Sequence, residues 1–115
     1  MAEPAAITNV SAQQQIEEVV RRVVERFHPE KLILFGSRAR GNASPDSDAD
    51  LLVVMPVSGS IRKQATEIER ALVGVKLPLD VIVATPEQLE RQKDQKGTIF
   101  FTAVRQGRVL YERAA

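Results

Sequence analysis

The stretch Leu32–Val54, LILFGSRARGNASPDSDADLLVV, decides how the rest of this chain is read. Leu32, Ile33, Leu34 and Phe35 form a short apolar run that breaks at Gly36-Ser37. A polar loop with Arg38, Arg40 and Gly41 follows, and the chain then enters a second apolar run headed by Asp48 and Asp50. Side chains two apart on a strand share a face. Asp48 and Asp50 are therefore expected side by side, with Leu51 and Val53 on the opposite face. Two carboxylates held that close repel, and a divalent cation between them relieves the repulsion.

Outward from this stretch, the flanking segments alternate in period. Ile16, Val19, Val20, Val23, Val24 and Phe27 recur at helical spacing, with Glu17, Glu18, Arg21, Arg22 and Glu25 opposite them. Ser11 with Gln14 offers a capping box, and Pro29 closes the helix with His28 at its end. Residues 1–10 are small and aperiodic, so they are expected to be a flexible lead-in to a single domain over 11–115. Beyond the central pair of strands, Pro56–Ser60 reads as a loop, and Ile61, Ala65, Ile68 and Leu72 mark a second amphipathic helix.

Leu79–Ala84 is a third strand, apolar except for Asp80. A carboxylate in such a run lies at an exposed strand end or has a cationic partner, because burying it unpaired is costly. Thr85-Pro86 supplies a cap and a first helical residue for a strongly polar third helix. Gly97-Thr98 restarts the chain into Ile99, Phe100, Ala103 and Val104, a short helix ending near Gly107. Val109-Leu110-Tyr111 is the closing strand. Strands alternating with helices in this way predict an α/β (α+β) layer, a small mixed sheet with helices packed on it.

Composition narrows the chemistry. A chain of 115 residues, 43% hydrophobic and 27% charged, suits one soluble core. A net charge of +1 gives no broad field for gripping an extended nucleic acid, so an anionic ligand would be held locally. With no cysteine and one histidine, any metal must be bound mainly through oxygen. The N-terminus, MAEPAAITNV, has neither a basic start nor an apolar run of signal-peptide length, and no apolar stretch approaches the roughly 20 residues of a membrane span, which makes a cytoplasmic location the expectation.

Gly36-Ser37 at a strand end, nearby arginines, paired aspartates and a later acid on another strand are each commonplace alone. Together they are what a metal-assisted nucleotidyl transfer needs. A glycine-serine turn offers N–H groups and a hydroxyl to phosphate. Paired aspartates offer hard oxygen to Mg²⁺, and two such ions stabilise the attacking and leaving oxygens of an in-line displacement at phosphorus. A third carboxylate on a neighbouring strand can take the proton of the attacking hydroxyl.

Phe35-Gly36-Ser37, ten residues, Asp48-Ala49-Asp50-Leu51 and later Leu79-Asp80-Val81 resemble the signature of the DNA polymerase β nucleotidyltransferase superfamily. GSRARG followed by SDAD, with the closing GRVLYER, resembles its minimal nucleotidyltransferases over nearly the whole chain. The resemblance implies a polymerase β-like fold and a nucleoside triphosphate substrate, with ATP and two Mg²⁺ ions expected. It matches Gly36 and Ser37 to triphosphate contacts, Asp48 and Asp50 to the two-metal ligands, and Asp80 to the third metal-binding carboxylate. Arg40 matches a family arginine that either contacts phosphate or forms an internal salt bridge. The resemblance also implies a partner, since many minimal nucleotidyltransferases are antitoxins of all-helical HEPN ribonuclease toxins, and some transfer AMP to a toxin tyrosine. Two other readings are a non-catalytic antitoxin acting by contact and a catalytic subunit for a small-molecule acceptor such as an aminoglycoside.

Overall fold

A computed structural model describes residues 4–36, 49–77 and 79–114, with side chains from Gln13 onward. The elements follow in the order α1 (Pro4–Phe27), β1 (Lys31–Phe35), β2 (Ala49–Val54), α2 (Ile61–Ala71), β3 (Leu79–Ala84), α3 (Pro86–Gln92), α4 (Ile99–Gln106) and β4 (Arg108–Glu112). The four strands form one mixed sheet in the order β3-β2-β1-β4. β1 runs antiparallel to both β2 and β4, while β2 and β3 are parallel through the α2 crossover.

The period-2 alternation of the strands divides the apolar side chains between two faces. Leu32, Leu51, Val53, Val81 and Val83 meet Val19 and Val23 of α1, Ile68 of α2 and Leu72 just past its end. Ile33, Phe35, Leu52, Val54 and Ala84 meet Phe100 and Ala103 of α4, with Leu89 of α3 against them. The expected opposition of Leu51 and Val53 to Asp50 is therefore present: Asp50 shares its face with Leu52 and Val54. The sheet lies between two helical layers, and the residues buried on both faces drive its formation.

Local chemistry sets the element ends. Ser60, Thr85 and Thr98 each accept a hydrogen bond from the third residue of their helix, at Lys63, Gln88 and Phe101. Pro86 takes the first helical position as the sequence predicts. α1 departs from expectation at its start. It begins at Pro4, so backbone expected to be a loose lead-in up to residue 10 is helical from Pro4 onward, and Ser11 lies within the helix instead of capping it. Nothing in residues 4–10 breaks a helix beyond its first position, where proline is tolerated, so the turns propagate past the capping signal. At the other end α1 stops at His28, which has φ +52° and whose N–H still donates to the Val24 carbonyl. α1 is fastened to α2 by Arg22, whose guanidinium donates to the Ala71 and Val73 carbonyls at the end of α2.

Candidate active site

Three of the elements end together. β1 runs toward Phe35 and Gly36, whereas β2 and β3 start beside it at Ala49-Asp50 and Leu79-Asp80. Phe35 is the register partner of Asp50, and Asp50 is the register partner of Asp80. Read across the end of the sheet, the order is Gly36, Asp50, Asp80. Gly36 has φ +92°, a conformation that a side chain would strain, and it turns the chain sharply out of β1.

Adjacent strands lie about 4.7–4.9 Å apart, and register partners project to the same side. The carboxyl groups of Asp50 and Asp80 are therefore neighbours on the face that also carries Phe35 and Leu52. Asp80 is exposed, at the open end of its strand, which resolves the alternatives left for it by the sequence, and Asp50 is half-buried. Placing like charges opposite each other costs stability. A hard cation bound through both would remove that cost, and an all-oxygen pair of short carboxylates is the donor set Mg²⁺ prefers. Ser37, Arg40 and Asp48 lie outside the described residues. Among those described, no three acidic or imidazole groups come together.

The backbone that presents Gly36 is held from the side by a contact that the sequence did not reveal. Gly107, between α4 and β4, packs so tightly that a β-carbon there would lie 2.3 Å from the Ala103 carbonyl oxygen and 2.5 Å from Cγ2 of Ile33. The sequence marks Gly107 as a helix end, but only the packing of α4 against β1 shows that the position admits no side chain.

The opposite end of the sheet is differently built. A cavity of about 490 Å³ opens there between Glu30, Lys31, Val54, Pro86, Leu89 and Arg113. It contains none of the expected site residues. Lys31 pairs with Glu112 at 3.4 Å across it.

A four-stranded mixed sheet between two helical layers, with a glycine turn and two carboxylates in register at one end, defines a polymerase β-like nucleotidyltransferase fold. The chain belongs to the nucleotidyltransferase domain family, whose model matches residues 16–105, from within α1 to the last turn of α4. Among solved structures it is similar to a candidate nucleotidyltransferase from Sulfolobus solfataricus, with a TM-score of 0.65 and 22% sequence identity over 98% of this chain and 91% of that one. None of the curated protein sequences matches the chain significantly. At that identity the structural likeness speaks for the fold, and the family match for a transferase acting with a nucleoside triphosphate. No helix among the described residues is long and apolar enough to cross a membrane.

Proposed function

We propose that this chain transfers a nucleoside monophosphate, AMP from ATP, to a hydroxyl group of a partner protein, in the cytoplasm and as a single domain over residues 11–115. The observation that carries this reading is the register of Asp50 with Asp80 on one side and with Phe35, the residue before the Gly36 turn, on the other. In it, Gly36 and Ser37 hold the triphosphate through backbone N–H groups and the serine hydroxyl, with Arg40 beside them. Asp48, Asp50 and Asp80 hold two Mg²⁺ ions, which when bound supply charge stabilisation for the attacking and leaving oxygens. Asp80, on the exposed outer strand, also accepts the proton of the acceptor hydroxyl.

The GSRARG and SDAD segments support the narrower reading of a minimal nucleotidyltransferase, the antitoxin of a two-gene module with a HEPN-type toxin. The test is incubation of the purified chain with Mg²⁺, α-labelled ATP and the product of the neighbouring gene. Label on that partner, lost in Asp48→Asn, is expected. Inhibition of the partner without label would replace transfer by simple binding, and label only on an added aminoglycoside would make the acceptor a small molecule.

A further inference from the structure

Of the two described carboxylates at the site end, Asp50 lies on a strand paired on both sides, whereas Asp80 is the second residue of β3, which among the described residues pairs with β2 alone. Asp80 is also exposed. Backbone paired on one side and exposed at its end opens locally at low cost. What holds Asp80 in place must therefore include the chain just ahead of it, between the end of α2 and Leu79.

That chain is gripped by α1. Gln15, Glu18 and Arg22 stand at i, i+3 and i+7, a spacing that keeps them on one face of the helix. Gln15 Oε1 accepts from the Lys76 N–H at 3.0 Å. Arg22 Nη1 donates to the Val73 carbonyl at 2.9 Å and to the Ala71 carbonyl at 3.1 Å. Its Nε donates to Glu18 Oε2 at 2.7 Å, so the planar guanidinium is braced on its other side. Beside this polar stripe, Ile16 shares a cluster with Leu34, Ala49 and Leu77, and Val75 and Leu79 pack against it. Ala49 directly precedes Asp50, and Leu79 directly precedes Asp80. Among the described residues the other bonds of this segment are local turns, from the Val73 N–H to the Arg70 carbonyl and from the Val75 N–H to the Leu72 carbonyl. Its long-range polar ties thus run to α1, from side chains that the sequence pattern marks only as a solvated helix face.

Resting on the transfer reading above, we infer that Gln15 and Arg22, with Glu18 bracing the guanidinium, are positioning residues for Asp80. They clamp the segment between α2 and β3, and so keep the carboxylate in register with Asp50, where it takes the proton of the acceptor hydroxyl. Both act through the backbone ahead of Asp80, and neither is itself a catalytic residue. A misplacement of about 1 Å at a reacting group can cost about a hundredfold in rate. In that reading the triphosphate is held by the Gly36 turn, on a different strand. Loosening the clamp should therefore lower kcat and leave KM for ATP nearly unchanged.

The test compares Gln15→Ala, Gln15→Glu, Arg22→Ala and Asp80→Asn in the intact chain. Hydrogen exchange is followed at the Lys76 and Asp80 amides without nucleotide, and label transfer to the product of the neighbouring gene is followed with Mg²⁺ and α-labelled ATP. Gln15 is only half-buried, so its variants keep the fold even where Arg22→Ala loosens it. Gln15→Ala and Arg22→Ala are expected to speed exchange at Asp80 and to lower kcat, each by about tenfold or more, with KM for ATP little changed. Gln15→Glu keeps an acceptor for the Lys76 N–H and should retain the wild-type exchange and rate. Added to Asp80→Asn, Gln15→Ala should lower the rate no further, because the group it positions is already lost, whereas independent structural losses would multiply. Unchanged exchange at Asp80, an unchanged kcat in both alanine variants, or losses that multiply in the double variant would overturn the clamp and leave the transfer reading standing. A wild-type chain that labels no acceptor, or a rate indifferent to Asp80→Asn, would overturn the transfer reading and the positioning role with it.

Discussion

The two ends of one sheet are built on opposite principles. At the end where β1 begins, charges cancel: Lys31 pairs with Glu112, the Arg113 guanidinium donates to the His28 carbonyl, and the Arg113 N–H donates to the Glu30 carbonyl. At the end where β1 finishes, a positive-φ glycine sits beside two carboxylates in register. The first arrangement lowers the energy of the folded chain. The second sets two carboxylates opposite each other, as expected where geometry serves a ligand. The contrast teaches that a cavity by itself does not mark the candidate site in this molecule, since one of about 490 Å³ opens at the self-neutralised end.

The sharpest way to break this comparison is Asp80→Asn. General-base assistance is worth about 10² to 10⁴-fold, so the transfer rate should fall by at least that much. The melting temperature should change little, because Asp80 is exposed at the end of its strand. Rate and melting curve are to be measured on the same sample, and an unchanged rate with a lower melting point would make Asp80 a structural acid.

Gly107→Ala probes how the end with the candidate site is held. The added carbon overlaps the Ala103 carbonyl and Ile33, and relief by movement of α4 or β1 should cost about 1–3 kcal/mol. Urea titration reads this directly. Wild-type stability in the variant would show that α4 does not press on β1.

At the neutralised end, Lys31→Ala removes a partly exposed pair to Glu112. Its loss should cost under about 1 kcal/mol and shrink further in salt. A larger effect, insensitive to salt, would mean that this end is not simply a screened surface.

The smallest expected effect lies in α1. Glu18 accepts hydrogen bonds from Arg21 and Arg22, which hold its carboxyl down at about 2. A depressed folded-state value stabilises the fold above the ordinary carboxylate range near 4.5 and withdraws that support as pH falls toward 2. Glu18→Gln should therefore lower the melting temperature slightly at pH 6, and the gap should close between about pH 4.5 and 2. Because Glu18 faces solvent, the gap should also narrow in salt.

How much could be read in advance differs between these elements for physical reasons. Helix α3 was legible from Thr85-Pro86, because capping and a fixed proline φ act within a few residues. The start of α1 was not, since a helix once nucleated extends through any residues that do not oppose it. The glycine turn and the acids of the candidate site were visible as residue types. Their meeting at one end was expected only through the family resemblance, because residue types alone do not give strand order.

By itself the sequence determined the alternation of elements, the two apolar faces of the sheet and the residues able to do chemistry, all of which follow from side-chain period and local backbone preference. Only the tertiary structure decided that β2 and β3 run parallel with Asp50 against Asp80, that β3 lies at an edge, and that α4 closes on β1 through Gly107. Pairing partners and register are chosen by which arrangement buries both apolar faces at once, a property of the assembled layers that no local stretch contains.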